Sequence, residues 1–189
     1  MIAALFIDPK GPYPTIPDVD CWPLSRDARK YEGPHPVVAH PPCRLWVNLA
    51  CVNYKRWGGE HNRPGNDDGC FAWALTTVMR YGGVLEHPAE SRAWRKYGLD
   101  TPRGIGWQGH GQDWFCEVWQ SAYGHLARKR TWLFYRGRDP LPGNWERKPG
   151  THQCGKFDRR KPSLFRAAAS RTPLPFALWL VELARRAGC

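Results

Sequence analysis

Three short apolar runs in this chain each end on a reactive polar group, and no other feature constrains the fold as strongly. Ile2 to Ile7 reads as a buried strand ending at Asp8. Pro36-Val37-Val38-Ala39-His40 reads as a second strand, stopped by Pro41-Pro42 and followed at once by Cys43. Val84-Leu85-Glu86 reads as a third, ending at His87-Pro88. Between the second and third, Cys70 to Tyr81 places Phe71, Leu75 and Val78 on one helical face, with Asn66-Asp67-Asp68 as its cap and Gly82-Gly83 as its stop. Strands separated by helices predict an α/β fold with a largely parallel sheet. In such sheets the active site lies beyond the carboxyl ends of the strands.

The rest of the chain fills in around that frame. Pro9, Pro12, Pro14 and Pro17 exclude a helix after the first strand. A helix is expected from Ala89 to Tyr97, and four glycines between Gly104 and Gly111 predict a flexible loop. Gln112 to Ala122 reads as a helix with Phe115, Val118 and Trp119 inward, and Thr131 to Tyr135 as a strand. From Gly137 to Thr172 no period is visible, and residues 137–167 are expected to be an irregular loop or small insert on a single domain. Leu174 to Ala187 closes the chain as an amphipathic helix.

Composition narrows the class. No period supports a collagen, coiled-coil or repeat architecture, and no apolar run is long enough to span a membrane. No basic segment precedes the apolar start, so no signal peptide is read there. Seven cysteines, an odd number without a C-x-x-C pair, predict reduced thiols and a cytoplasmic protein. Lys and Arg number 28 against 17 Asp and Glu, a net charge of +11. That excess points to a polyanionic partner, most often nucleic acid; the ordinary alternative is a chain that is basic only for solubility. The 11 Trp residues can stack on bases or simply be buried.

Weaker patterns carry less. Cys51, His61 and Cys70 with His152-Gln153-Cys154 are zinc-ligand types, but their spacings match no usual finger, and no metal is expected. The glycines at 104, 106, 109 and 111 follow no strand, which argues against a dinucleotide fingerprint. Glu60-His61-Asn62 suggests a nuclease histidine without a supporting partner motif.

The strand ends carry the chemistry. Cys43 follows a Pro-Pro pair that fixes the backbone, and a thiol there is either a nucleophile or a small buried hydrophobe. Glu86 ends an apolar strand, where an acid is costly unless it faces a polar site or an ion pair. Arg128-Lys129-Arg130 then forms a basic cluster just before a strand, either a ligand clamp or a solvated turn.

Together these stretches resemble the DNA cytosine-5 methyltransferases. That family has Pro-Pro-Cys-Gln after a strand, Glu-Asn-Val ending the next, and Gln-x-Arg-x-Arg before a later one. Here Pro41-Pro42-Cys43-Arg44, Glu86-His87-Pro88 and Arg128-Lys129-Arg130 follow in the same order. Ser170-Arg171-Thr172-Pro173-Leu174-Pro175 before a helix is similar to the family's last motif. The resemblance implies a Rossmann-like methyltransferase sheet with helices on both faces, in a compact, phage-like form. It implies Cys43 as the nucleophile at carbon 6 of cytosine, Glu86 as the partner of N3, and Arg128 and Arg130 as clamps on base and backbone. Arg44, His87 and Lys129 would contact nucleic acid. An ungapped alignment from Tyr123-Gly124 instead puts Lys129 and Thr131 at the two arginine positions.

The implied cofactor is S-adenosylmethionine, near Phe6, Asp8, Pro41 and Thr172. The family's Phe-x-Gly-x-Gly loop is replaced here by Phe6-Ile7-Asp8-Pro9-Lys10-Gly11, so the half-fold is reduced at the N-terminus. Three alternatives stay open: a different donor, a free nucleotide as substrate, and an inactive nucleic-acid-binding protein that keeps the fold.

Overall fold

The computed structural model describes residues 1–154, 159–165 and 167–188; Cys189 and parts of the 137–167 segment lie outside them. In chain order the elements are β1 (Ile2–Ile7), β2 (Val19–Pro23), β3 (Val37–Ala39), α1 (Asn48–Trp57), α2 (Cys70–Tyr81), β4 (Gly83–Pro88) and α3 (Arg92–Lys96). There follow β5 (Gln108–His110), β6 (Asp113–Trp119), β7 (Arg130–Arg136), β8 (Gln153–Cys154), β9 (Ser163–Leu164), α4 (Ala167–Ser170) and α5 (Leu174–Ala187).

Seven strands form one mixed sheet in the order β2-β1-β3-β4-β7-β6-β5. The first four are mutually parallel, whereas β7 is antiparallel to β4 and β6, and β5 is antiparallel to β6. Helices cover both faces, which is why the central strands read as unbroken apolar runs. Ile2, Ala4, Val38, Val84, Leu133 and Tyr135 pack beneath α5 with Phe176, Leu180, Val181 and Ala184. The alternate residues Ala3, Leu5, Val37, Ala39, Leu85 and Phe134 pack against Phe71, Ala74 and Val78 of α2 and Trp94 of α3. The start of β4 depends on Gly83, at φ +115°, because a Cβ there would lie 2.0 Å from the Val37 carbonyl oxygen.

The strands at Ile2–Ile7, Val37–Ala39 and Gly83–Pro88 and the helices at Cys70–Tyr81 and Leu174–Ala187 follow the sequence reading. The N-cap of α2 is Gly69 and not one of residues 66–68, although Asp67 accepts the Phe71 N–H of the first turn at 2.9 Å; Gly82 ends the helix with its N–H on the Val78 carbonyl.

Elsewhere the sequence expectation fails. Gln112 to Ala122 is not a helix but β6 followed by a 3-10 turn, Gln120–Tyr123. Trp114, Cys116 and Val118 face α5 and Phe115 faces α2, so a strand buried on both sides shows no alternation and imitates a helical stripe. The glycine loop at 104–111 contains β5, which pairs with β6 through a two-residue turn at Gly111-Gln112. The helix expected over 89–97 shrinks to α3, because Ser91 caps it by accepting the Ala93 N–H at 3.2 Å. The sheet is parallel only in its first half. β2 lies in the proline-rich region, and as an edge strand it tolerates Pro23. α1 escaped the periodicity because it turns only Ala50 into the core and leaves Leu49, Val52 and Trp57 exposed. Among the described residues, no helix is long and apolar enough to cross a membrane.

Candidate active site at the carboxyl edge of the sheet

β3 and β4 are parallel neighbours with Ala39 opposite Leu85. One step further puts His40 beside Glu86 on the α5 face of the sheet. The His40 Nδ1–H donates to Glu86 Oε2 at 2.9 Å. The other ring nitrogen, Nε2, lies 2.6 Å from the hydroxyl of Tyr13, a buried residue of the loop between β1 and β2. On the far side Gln120 Nε2 donates to Glu86 Oε1 at 2.9 Å and to Thr131 Oγ1 at 3.0 Å. A hydrogen-bonded chain Tyr13–His40–Glu86–Gln120–Thr131 therefore crosses the carboxyl edge of the sheet, and Glu86 is 8% exposed at its centre.

The charges around Glu86 decide its state. Burial alone would push its carboxyl up; the hydrogen bond and charge of His40, and then Lys129, outweigh burial and hold it down at about 2. Glu86 is thus a carboxylate in the resting protein. Cys43 is exposed to solvent. Its thiol is pushed up first by burial and then by the Glu86 charge, while Lys129 pulls it back. Cys43, Glu86 and Lys129 thus form one electrostatic group.

Local structure fixes that group. The Trp46 N–H bonds the Cys43 carbonyl at 2.9 Å and closes a turn directly after the cysteine. Trp46 Nε1 donates to the buried Asp67 at 2.8 Å, so the carboxylate that accepts the Phe71 N–H of α2 also anchors the Cys43 loop. Lys129 has φ +37°, in the left-handed region that non-glycine residues occupy at a cost of about 1–3 kcal/mol. Its Nζ donates to the Ser170 and Arg171 carbonyls at 3.0 and 3.1 Å, tying the segment before α5 to the site.

The other sequence candidates fall elsewhere. Arg130 lies on β7 with its side chain on the face opposite Glu86, because side chains alternate along a strand and Thr131 takes the Glu86 side. Arg130 is held by Glu117 at 2.8 Å and Glu90 at 2.6 Å. Arg128 stacks over the Trp119 ring at 5.0 Å from its centroid. The ungapped register, Lys129 and Thr131, is therefore the one next to Glu86. His87 is fully buried on the α2 face, 5.0 Å from the Phe71 ring and 6.4 Å from Trp94, and offers no surface for nucleic acid. Neither of its ring nitrogens makes a full hydrogen bond, and burial lowers it to about 4 despite the nearby Pro42 carbonyl. Arg44 is exposed and donates to Asn62 Oδ1 and the His61 carbonyl.

The residues implied for S-adenosylmethionine do not form a cradle. The loop after β1 closes on itself: the Lys10 N–H bonds the Asp8 carboxylate and the Gly11 N–H bonds the Asp8 carbonyl, both at 2.9 Å. Phe6 stands at φ +58° in the left-handed region, and a 3-10 turn, Tyr13–Thr15, replaces any helix between β1 and β2. Pro41 is buried behind the Cys43 loop, and Thr172 is half-buried.

Among the described residues no three His, Cys, Asp or Glu side chains gather as a metal site. His40, Tyr13 and Gln120 were missed in the sequence, although His40 directly follows the second apolar run; Tyr13 and Gln120 give no sequence signal, since only packing brings them to Glu86. Comparison of the chain with protein-family models, with curated proteins and with solved structures finds no match.

Proposed function

We propose that this protein acts on a pyrimidine in nucleic acid, DNA in the first place, by adding Cys43 to carbon 6 of the base, as the DNA cytosine-5 methyltransferases do. The observation that carries this reading is the group of Cys43, just beyond β3, Glu86, on the adjacent parallel β4, and Lys129, just before the antiparallel β7. The order of the resembling motifs and the net charge of +11 support it.

In this reading Cys43, whose thiol is pushed up by burial and by Glu86 and pulled back in part by Lys129, attacks carbon 6 as the thiolate and leaves an enamine that is nucleophilic at carbon 5. The attack is easier when N3 carries a proton. Glu86 rests ionised, so it does not supply that proton by itself. A proton taken up on His40 can pass along the 2.9 Å bond to Glu86 and from there to N3. His40 is then as much a part of the acid as Glu86. Gln120 fixes the other carboxylate oxygen, which leaves Glu86 a single orientation. Because the loop after β1 gives no cradle for S-adenosylmethionine, the electrophile that carbon 5 meets is not assigned to it.

The test needs no donor. An adduct at carbon 6 lets carbon 5 take a deuteron from heavy water, lose its original proton and expel the cysteine. Mass spectrometry of a cytosine oligonucleotide incubated with the protein in heavy water should show deuterium at carbon 5. Cys43→Ser should bring it to the uncatalysed background. Exchange that persists in Cys43→Ser removes Cys43 from the mechanism. Absence of exchange in a wild-type protein that still binds the oligonucleotide favours the second reading, an inactive binding protein, for which the closed Asp8–Gly11 loop speaks.

A further inference from the structure

A second feature lies at the same edge of the sheet and opens toward the other face. At the end of β6, Glu117 and Trp119 border a recess of about 290 Å³ whose rim is built by Arg103, Arg128, Arg130 and Arg147. These four arginines come from three separate stretches of chain. Arg130 is neutralised by Glu117 and Glu90. Glu117 is also bonded by Trp132 Nε1 at 2.8 Å and Trp119 Nε1 at 2.9 Å, and together these hold its carboxyl down at about 2 despite burial. Its charge is thus committed to Arg130 and the two indoles. Among the described residues no carboxylate pairs with Arg103, Arg128 or Arg147. Three uncompensated guanidinium groups around one opening repel each other, and an anion placed among them removes that cost. Guanidinium groups match phosphate oxygens through paired N–H donors.

We propose that this recess holds the backbone phosphates of a single-stranded stretch of nucleic acid whose neighbouring base reaches Cys43. The proposal rests on the function argued above. Two observations favour a strand over a free anion. The Arg128 guanidinium is already stacked on Trp119, so an aromatic platform adjoins the phosphate donors, the combination that binds single strands. Arg128 and Lys129 are consecutive, yet Arg128 borders the recess while Lys129 acts on Cys43 and Glu86. A strand crossing the rim between them would meet both. Neighbouring strands are about 4.8 Å apart, so the backbones at Glu117 and Glu86 lie about 10 Å apart across the sheet, with their side chains on opposite faces. A base must in any case leave its stack to reach Cys43.

The experiment compares the full chain with the Arg103→Gln/Arg147→Gln double variant. The probe is a fluorescent single-stranded cytosine oligonucleotide, titrated across a salt series, with the carbon-5 exchange assay run on the same preparations. Lys55→Gln/Arg56→Gln on α1 removes the same net charge elsewhere. Affinity should fall at least about tenfold in the recess variant, and the slope of log K against log salt should flatten by about 0.7 for each phosphate no longer neutralised. The α1 variant should change little in affinity or in exchange. Equal losses in the two variants, or no loss in the recess variant, overturn the proposal. So does wild-type protein that binds pyrophosphate and is indifferent to the oligonucleotide, since the recess would then serve a free phosphate. If the oligonucleotide binds through the recess but no exchange occurs, the phosphate site stands and the catalytic reading falls.

Discussion

The two sides of the sheet's carboxyl edge solve opposite problems. On the α5 side, Glu86 is buried and hydrogen-bonded on both oxygens, within a chain that leaves it one geometry. On the α2 side, Arg103, Arg128 and Arg147 are exposed, and among the described residues no carboxylate pairs with them. A buried carboxylate is tolerable only if its partners are fixed, and fixed partners are what chemistry at one atom requires. Exposed cations cost little to hold, act over a longer range and suit a partner recognised by charge rather than by shape. Lys129 and Arg128 stand back to back between the two. The strain at Lys129, φ +37°, falls on the residue that divides them.

The sharpest way to break this contrast is Glu86→Gln. An amide still fills the space and can keep a contact with the base, but it cannot pass a proton from His40 to N3. The exchange rate should drop by roughly 10²- to 10⁴-fold, whereas oligonucleotide affinity and its salt slope, set on the other side, should hold. If instead the thermal midpoint falls and the rate per folded molecule is kept, Glu86 is structural.

A smaller effect separates Glu86 from the adjacent residue on the opposite face. His87 is buried with a folded-state pKa of about 4 against an ordinary 6.5. Its neutral form is the one the fold accepts, so the stability it contributes is present above pH 6.5 and is lost as pH falls from 6.5 to 4. The loss is on the order of 3 kcal/mol. Glu86 follows with its own window, from about 4.5 down to about 2. Urea unfolding at pH 7, 5.5 and 4 should show stability falling in the first window, and His87→Phe should flatten that part of the curve. A His87→Phe variant with the wild-type pH profile would show that the ring is not the group titrating.

The smallest expected effect is at Trp119. Trp119→Ala removes the stacking platform and the partner of Arg128, and should weaken oligonucleotide binding by about 1 kcal/mol, roughly fivefold. The exchange rate at saturating oligonucleotide should stay unchanged. A fall in that rate with affinity unaltered would place Trp119 with the catalytic group instead.

Much of this was readable in the chain. The runs at Ile2–Ile7, Val37–Ala39 and Val84–Glu86 announce central strands because both faces are covered, and helices 70–81 and 174–187 announce themselves by their period. Cys43 and Glu86 stand out because one lies shortly after such a run and the other closes one, a local property. The antiparallel half was not readable. Trp114 to Val118 is apolar on both sides of the sheet, and a doubly buried strand loses the alternation that separates it from a helix.

What the sequence determined by itself is therefore local: the apolar runs, the turns that stop them, the reactive residue that follows each, and the total charge. Tertiary structure alone decided which of these groups meet. His40 and Gln120 reach Glu86 from positions 46 and 34 residues away along the chain only because β3 and β4 lie in register and the turn after β6 folds back over them, and Tyr13 joins from the loop after β1 through His40. The pleat of β7 decided which basic residue faces the carboxylate, sending Thr131 toward Glu86 and Arg130 to the opposite face. Side chains one residue apart on a strand point in opposite directions, so a cluster written as Arg-Lys-Arg can be sorted into roles only once the sheet exists.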